Sequence, residues 1–94
     1  MKLLICYDII KNNTRNNIVN LLFDFGFQRL QFSVFLGEIS KKKIKKLLKQ
    51  TQQIINNNED SFYIFNLCEK DFNNCLFLGK ITGKQFFNNN FLLF

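Results

Sequence analysis

An α+β fold of order β-α-β-β-α-β, with two helices over one face of a small sheet and an extra strand near the C-terminus, is what this sequence predicts. Three observations predict it. Apolar runs at 2–10 and 61–68 are rich in Leu, Ile and aromatic residues and lie beside Asn-containing turns, the mark of short buried strands. Residues 27–36 alternate in the manner of a strand. Two stretches, 15–25 and 41–56, repeat apolar residues at helical spacing.

The first strand, Lys2-Leu3-Leu4-Ile5-Cys6-Tyr7-Asp8-Ile9-Ile10, is apolar except for one carboxylate near its end. A carboxylate among apolar neighbours is costly unless it is paired, hydrogen-bonded or metal-bound. Asp8 therefore has two readings. It caps the next helix from the strand mouth, or it is a metal-binding acid at the end of a central strand.

Lys11-Asn12-Asn13-Thr14 offers several N-caps for a helix from Arg15 to Phe25, with Ile18, Leu21, Leu22 and Phe25 on its buried face. Gly26 ends it in the left-handed region that glycine favours. From Phe27 to Leu36 the chain alternates. Leu30, Phe32, Val34 and Leu36 fall on one face, and Arg29, Gln31, Ser33 and Phe35 on the other. Ten residues are long for one strand, so a bend or bulge is expected near Phe32-Ser33. Ser40 caps the second helix, Lys41 to Asn56, with Ile44, Leu47, Leu48, Thr51, Ile54 and Ile55 facing inward.

Lys41, Lys42, Lys43, Lys45, Lys46 and Lys49 crowd that helix's first half. Such a run is a solvated face or a nucleic-acid backbone contact. Ser61 to Cys68 is a strand apolar on both faces, as is the first strand. Strands of that kind need cover on both sides, and two helices supply only one. The second side, which parity gives to Leu4, Cys6 and Asp8, is therefore expected to meet another copy of the chain. A short strand at 76–80, a turn at 80–84 and an apolar end, Phe91-Leu92-Leu93-Phe94, complete the reading. The end is expected to pair with a sheet edge of the partner subunit or to pack at home. The order is that of the ferredoxin-like split βαβ sandwich, whose first strand is central.

The chain of 94 residues is expected to form a single domain, 1–94, with a core at 1–68 and a strand-bearing tail at 69–94. Thirteen Phe exceed what so small a monomer hides easily, which favours a homodimer. The formal charge of +6 points to nucleic acid before any other partner. No His is present, which excludes a His general base and any Ser-His-Asp or Cys-His device. Three Cys without a CxxC pair argue against zinc, and Cys6 and Cys68 are expected to be buried thiols of a cytoplasmic protein. No stretch is long enough to span a membrane, so no membrane partner is expected.

Tyr7-Asp8-Ile9, Arg15, Phe25-Gly26-Phe27-Gln28-Arg29, Gln31-Phe32-Ser33-Val34-Phe35 and Asp60-Ser61 together resemble the small CRISPR-associated family "Cas two", which works in spacer acquisition. The resemblance covers about residues 1–67. It implies a ferredoxin-like homodimer in which one Asp8 per subunit faces a shared cleft and binds Mg²⁺, with Mn²⁺ as an alternative. It implies a metal-dependent endonuclease acting on RNA or DNA in some members. In others it implies an adaptor held between copies of the CRISPR integrase.

On that reading the catalytic set is Asp8, Tyr7, Arg15, Arg29 and Ser33. Arg15, Arg29, Lys41, Lys42 and Lys45 hold nucleic acid, and Phe35, Leu4 and Cys6 form the dimer interface. Nuclease members often carry a second basic residue two positions after the one matching Arg15, where this chain has Asn17. Two alternatives stand beside the metal nuclease: a non-catalytic DNA-bridging scaffold and a toxin-like ribonuclease of the virulence-associated D type.

Overall fold

In the computed structural model, residues 1–80 and 92–93 are described. The order is β1 (Lys2–Asp8), α1 (Asn12–Asp24), β2 (Gln28–Gln31), β3 (Val34–Glu38), α2 (Lys41–Ile54), β4 (Ser61–Leu67), α3 (Glu69–Asn73), β5 (Leu76–Phe77) and β6 (Leu92–Leu93). The main sheet is antiparallel and runs β2-β3-β1-β4, so β1 is central, as expected for the ferredoxin-like α+β sandwich. β6 is the extra C-terminal strand, and it pairs in parallel with β5 of its own chain. Residues 81–84 of the expected turn and the aromatic positions 86, 87, 91 and 94 lie outside the described residues.

Register divides the sheet into two faces. On one face Leu3, Ile5, Tyr7 and Phe35 meet Ile18, Leu21 and Leu22 of α1 and Leu47 of α2 in the main core. Phe35 is 0% exposed and pairs with Ile5, so it belongs to this core. The expectation that it forms a dimer contact is corrected: it lies on the helix-covered face and is enclosed by its own chain. Gly37 is also buried there, because a Cβ would stand 2.6 Å from the Phe27 ring.

The opposite face carries Leu4, Cys6 and Asp8 of β1, across from Phe65, Tyr63 and Ser61 of β4. It is not left wholly to a partner. α3 lays Phe72 over Leu30 and Leu36, with Leu4, Val34, Leu67 and Phe77 around them. Lys2 fixes α3 from β1 through an ion pair to Glu69 at 2.8 Å and by lying over the Phe72 ring at 4.2 Å. What stays open is the β4 side, where Tyr63 and Phe65 are about half exposed and stack on each other. Leu4 and Cys6, both expected at the interface, border that open strip and are half-buried.

Helix ends follow the sequence in part. Ser40 caps α2 by accepting from the Lys43 amide, and Gly26 sits at φ +87° behind α1. α1 begins at Asn12 rather than Arg15, behind Lys11, without a side-chain cap. Cys68 is exposed and not buried as expected. Its Sγ accepts from the Asp71 amide at 3.4 Å and caps α3. The expected bend at Phe32-Ser33 is a full reversal joining β2 to β3, with a bulge between Arg29 and Gln31.

Candidate functional site

The end of β1, the start of α1, the β2–β3 turn and the start of β4 meet at one end of the sheet, and they bring Tyr7, Asp8, Arg15, Arg29 and Ser33 together, whereas Lys41, Lys42 and Lys45 follow the end of β3 that pairs with Lys2, at the other end of the sheet. Asp8 is the last residue of β1, and its register partner is Ser61. It is exposed, on the face that α1 and α2 do not cover. It caps nothing: no helix-cap bond reaches α1, and no ion pair or hydrogen bond engages its carboxylate among the described residues.

The backbone that carries Asp8 is fastened on both sides. Before it, the Tyr7 amide donates to the Ser33 carbonyl at 3.2 Å, and the Tyr7 hydroxyl donates to the Phe32 carbonyl at 2.9 Å. After it, Arg15 donates to the Ile9 carbonyl at 2.9 Å and also to Asn12 Oδ1. Asp60 accepts from the Ile10 amide at 3.0 Å and from the Asn56 amide at 2.9 Å. The free carboxylate therefore projects from a segment whose neighbours at 7, 9 and 10 are all tied down. This is the preorganisation that a metal or phosphate site needs.

Tyr7 is buried at 5% exposure. Burial pushes its phenol above the ordinary value, and the nearby charges of Arg29 and Arg15 pull it partly back. With its proton directed to a carbonyl, Tyr7 is placed as a positioning residue. Arg29 donates twice to the same Phe32 carbonyl, from Nε at 3.2 Å and Nη2 at 2.8 Å. Both arginines are thus brackets of the site's backbone. A guanidinium carries five N–H donors in all, so such a role does not use up its capacity for phosphate. Ser33 is half-buried in the turn. Burial raises the Cys6 thiol above its usual value, which makes it a poor nucleophile.

Asp60 was legible in the sequence only as part of the Asp60-Ser61 motif. Its role as a clamp rests on a bond to Ile10, fifty positions away. Those two backbone N–H donors hold its carboxyl below the usual carboxylate range. A depressed folded pKa adds stability above the unfolded value and loses it as pH falls through the folded one. The Asp60→Asn variant is therefore expected to melt below wild type near neutral pH. The gap should narrow as pH falls below the ordinary carboxylate range and through the depressed pKa of the folded state. Thermal melts at neutral and acid pH check this.

Lys41, Lys42 and Lys45 are exposed on α2, as are Lys43, Lys46 and Lys49. None of the six has an ion-pair partner among the described residues, and no acid stands in the first turn of α2. Cations at a helix N-terminus oppose its dipole by roughly 0.3–1 kcal/mol each. This helix therefore carries its charge where a polyanion, not the fold, would benefit.

The described residues contain no group of three or more His, Cys, Asp or Glu able to hold a metal. Asp8 offers a hard oxygen donor of the kind Mg²⁺ accepts, and Mg²⁺ often uses only one or two carboxylates. No described helix is long and apolar enough to cross a membrane.

Over most of its length the chain is similar to known proteins. A family profile described as "CRISPR associated protein Cas2" matches residues 1–75. The chain is 30% identical over 71 residues to the "CRISPR-associated endoribonuclease Cas2" of Desulforudis audaxviator, covering 76% of this chain and 67% of that one. It is 33% identical over 67 residues to "CRISPR-associated endoribonuclease Cas2 1" of Archaeoglobus fulgidus, covering 71% of each. Among solved structures, Streptococcus pyogenes Cas2 superposes with a TM-score of 0.68 at 24% identity, covering 73% of this chain and 88% of that one. At that identity the superposition speaks for the fold alone. The profile spans the site residues from Tyr7 to Asp60 and ends just before β5, and on that match the chain belongs to the CRISPR-associated protein Cas2 family.

Proposed function

We propose that this protein acts in CRISPR spacer acquisition as a homodimeric, Mg²⁺-dependent endonuclease and adaptor that binds nucleic acid and bridges integrase dimers. The observation that carries the proposal is the exposed Asp8 carboxylate, unpaired among the described residues, on a backbone fastened before and after it. One carboxylate is a sparse metal site. Two, one from each subunit, would repel each other, and a bound cation relieves that repulsion. Leu4, Cys6, Tyr63 and Phe65, on the same face as Asp8, supply the apolar strip on which two copies would meet.

When bound, the ion supplies Lewis-acid polarisation of a phosphate oxygen. The rest falls to the chain. Arg15 and Arg29 hold phosphate and stabilise negative charge as it develops. Ser33, in the turn beside Tyr7, orients water, and Tyr7 keeps the turn in place. Lys41, Lys42 and Lys45 lie along the nucleic-acid backbone.

The non-catalytic DNA-bridging scaffold is the second reading. It is favoured by Asn17, which stands where nuclease relatives often carry a second basic residue and so weakens the grip on phosphate.

Purified protein incubated with single-stranded RNA, single-stranded DNA and duplex, with Mg²⁺ or with a chelator, tests the proposal. Cleavage restricted to the Mg²⁺ samples is expected. Binding to duplex should weaken steeply as salt rises, with a log–log slope near −0.9 per phosphate contacted. Binding that persists without cleavage selects the scaffold, and no binding at any salt removes both readings.

A further inference from the structure

Phe32 is the most exposed large apolar side chain of the described chain, at 85%. It occupies the tip of the β2–β3 turn, yet its backbone is held unusually firmly. Its carbonyl accepts from the Tyr7 hydroxyl, from Arg29 Nε and from Arg29 Nη2. Tyr7 is itself a core residue, so the turn is anchored to the core while the ring stands in water. A ring in that position forgoes the stabilisation that burial would give. Among the described residues it joins neither hydrophobic cluster.

One cation stands beside the ring, and the hollow it borders is otherwise lined mainly by apolar atoms. The Arg29 guanidinium lies 5.6 Å from the Phe32 ring centre. Gln31 reaches the Lys80 carbonyl with its amide at 2.6 Å. Arg29, Leu30, Gln31, Phe32 and Lys80 together line a shallow concavity of about 230 Å³. An aromatic face beside a guanidinium, on a chain of charge +6, fits a flat ring flanked by phosphates.

We propose that Phe32 is a stacking platform for an unpaired nucleobase, with Arg29 and Lys80 beside the adjoining phosphates. The inference rests on the nucleic-acid reading above and adds to it a preference for single-stranded segments. The anchored backbone matters here, because a turn already fixed in place loses little entropy when a base settles on its ring.

Fluorescence anisotropy with the full chain tests it, using a blunt duplex, an unstructured single strand and the same strand with abasic sites. Phe32→Ala is expected to weaken single-strand binding by about 5- to 150-fold, the range for loss of one base–aromatic stack. Blunt-duplex binding should stay within about two-fold, since phosphate contacts carry it. Phe32→Trp should restore single-strand affinity, and the abasic strand should bind wild type and Phe32→Ala alike. The exposed ring can be removed without a change in melting temperature, and a melt confirms that.

Unchanged single-strand affinity in Phe32→Ala, with duplex binding intact, overturns the platform and leaves the nucleic-acid reading standing. Equal losses on duplex and single strand overturn it as well, because the contact would then not be to a base. Wild-type protein that binds no oligonucleotide overturns both.

Discussion

Phe35→Ala is expected to cost about 3–5 kcal/mol of stability, the range for truncating a fully buried aromatic residue. For a domain of this size that is a large share of the total. The ring is 0% exposed. It stacks on Tyr7 at 6.1 Å between centroids and meets Phe23 edge-on at 5.6 Å. The Arg29 guanidinium lies 5.6 Å from its centre. Removing it empties the space between β1, β3 and α1 and loosens the support of Tyr7, which pins the site's turn. Chemical denaturation should show an unfolded or barely folded chain, not a folded monomer released from a dimer. Phe65→Ala serves as the comparison. Its ring is half exposed on the open face, where two copies would meet, so its loss should weaken association between copies and leave the folded chain intact. A Phe35→Ala protein that keeps its midpoint and changes only its association state would contradict the packing described above.

This outcome shows where the sequence was sufficient and where it was not. Hydrophobic period placed β1, both long helices and β4 within a few residues, because each has a clear apolar face. Ser40 and Gly26 were readable because caps are local chemistry. The role of Phe35 was not, since its cover depends on pairing with Ile5, thirty positions away, and on helices that could lie on either face. α3 was missed because Glu69–Asn73 has one apolar residue and no period. It is fixed instead by Phe72 entering the second cluster and by Lys2 reaching Glu69. With α3 hidden, the second face looked barer than it is.

The site divides in the same manner. Asp8 stood out because an acid in an apolar strand is anomalous in any context. Arg15 and Arg29 were legible as cations near that acid. Their donation to the carbonyls of Ile9 and Phe32 was not, because it depends on how loops from separate elements meet. The same holds for the Asp60 clamp.

Asp8→Asn is expected to reduce Mg²⁺-dependent cleavage by at least about 100-fold, since even a partner of a metal ligand costs 10–100-fold when lost. The amide keeps the side chain's size and removes the charge that a hard cation requires. Asp8 is exposed and its carboxylate engages none of the described residues, so the fold should not register the change. Melting should stay within about 4 °C of wild type, as for other surface substitutions. Binding of nucleic acid should persist, because the lysines of α2 are untouched.

Mixing the subunits then asks whether the site is shared. If each metal needs a carboxylate from both chains, an equal mixture of wild type and Asp8→Asn, re-paired at random, keeps only about a quarter of its dimers competent. Activity should fall to that level. If each chain holds its own ion, half the activity remains. The half-activity result would place the chemistry within one subunit and leave the second copy a role in binding alone.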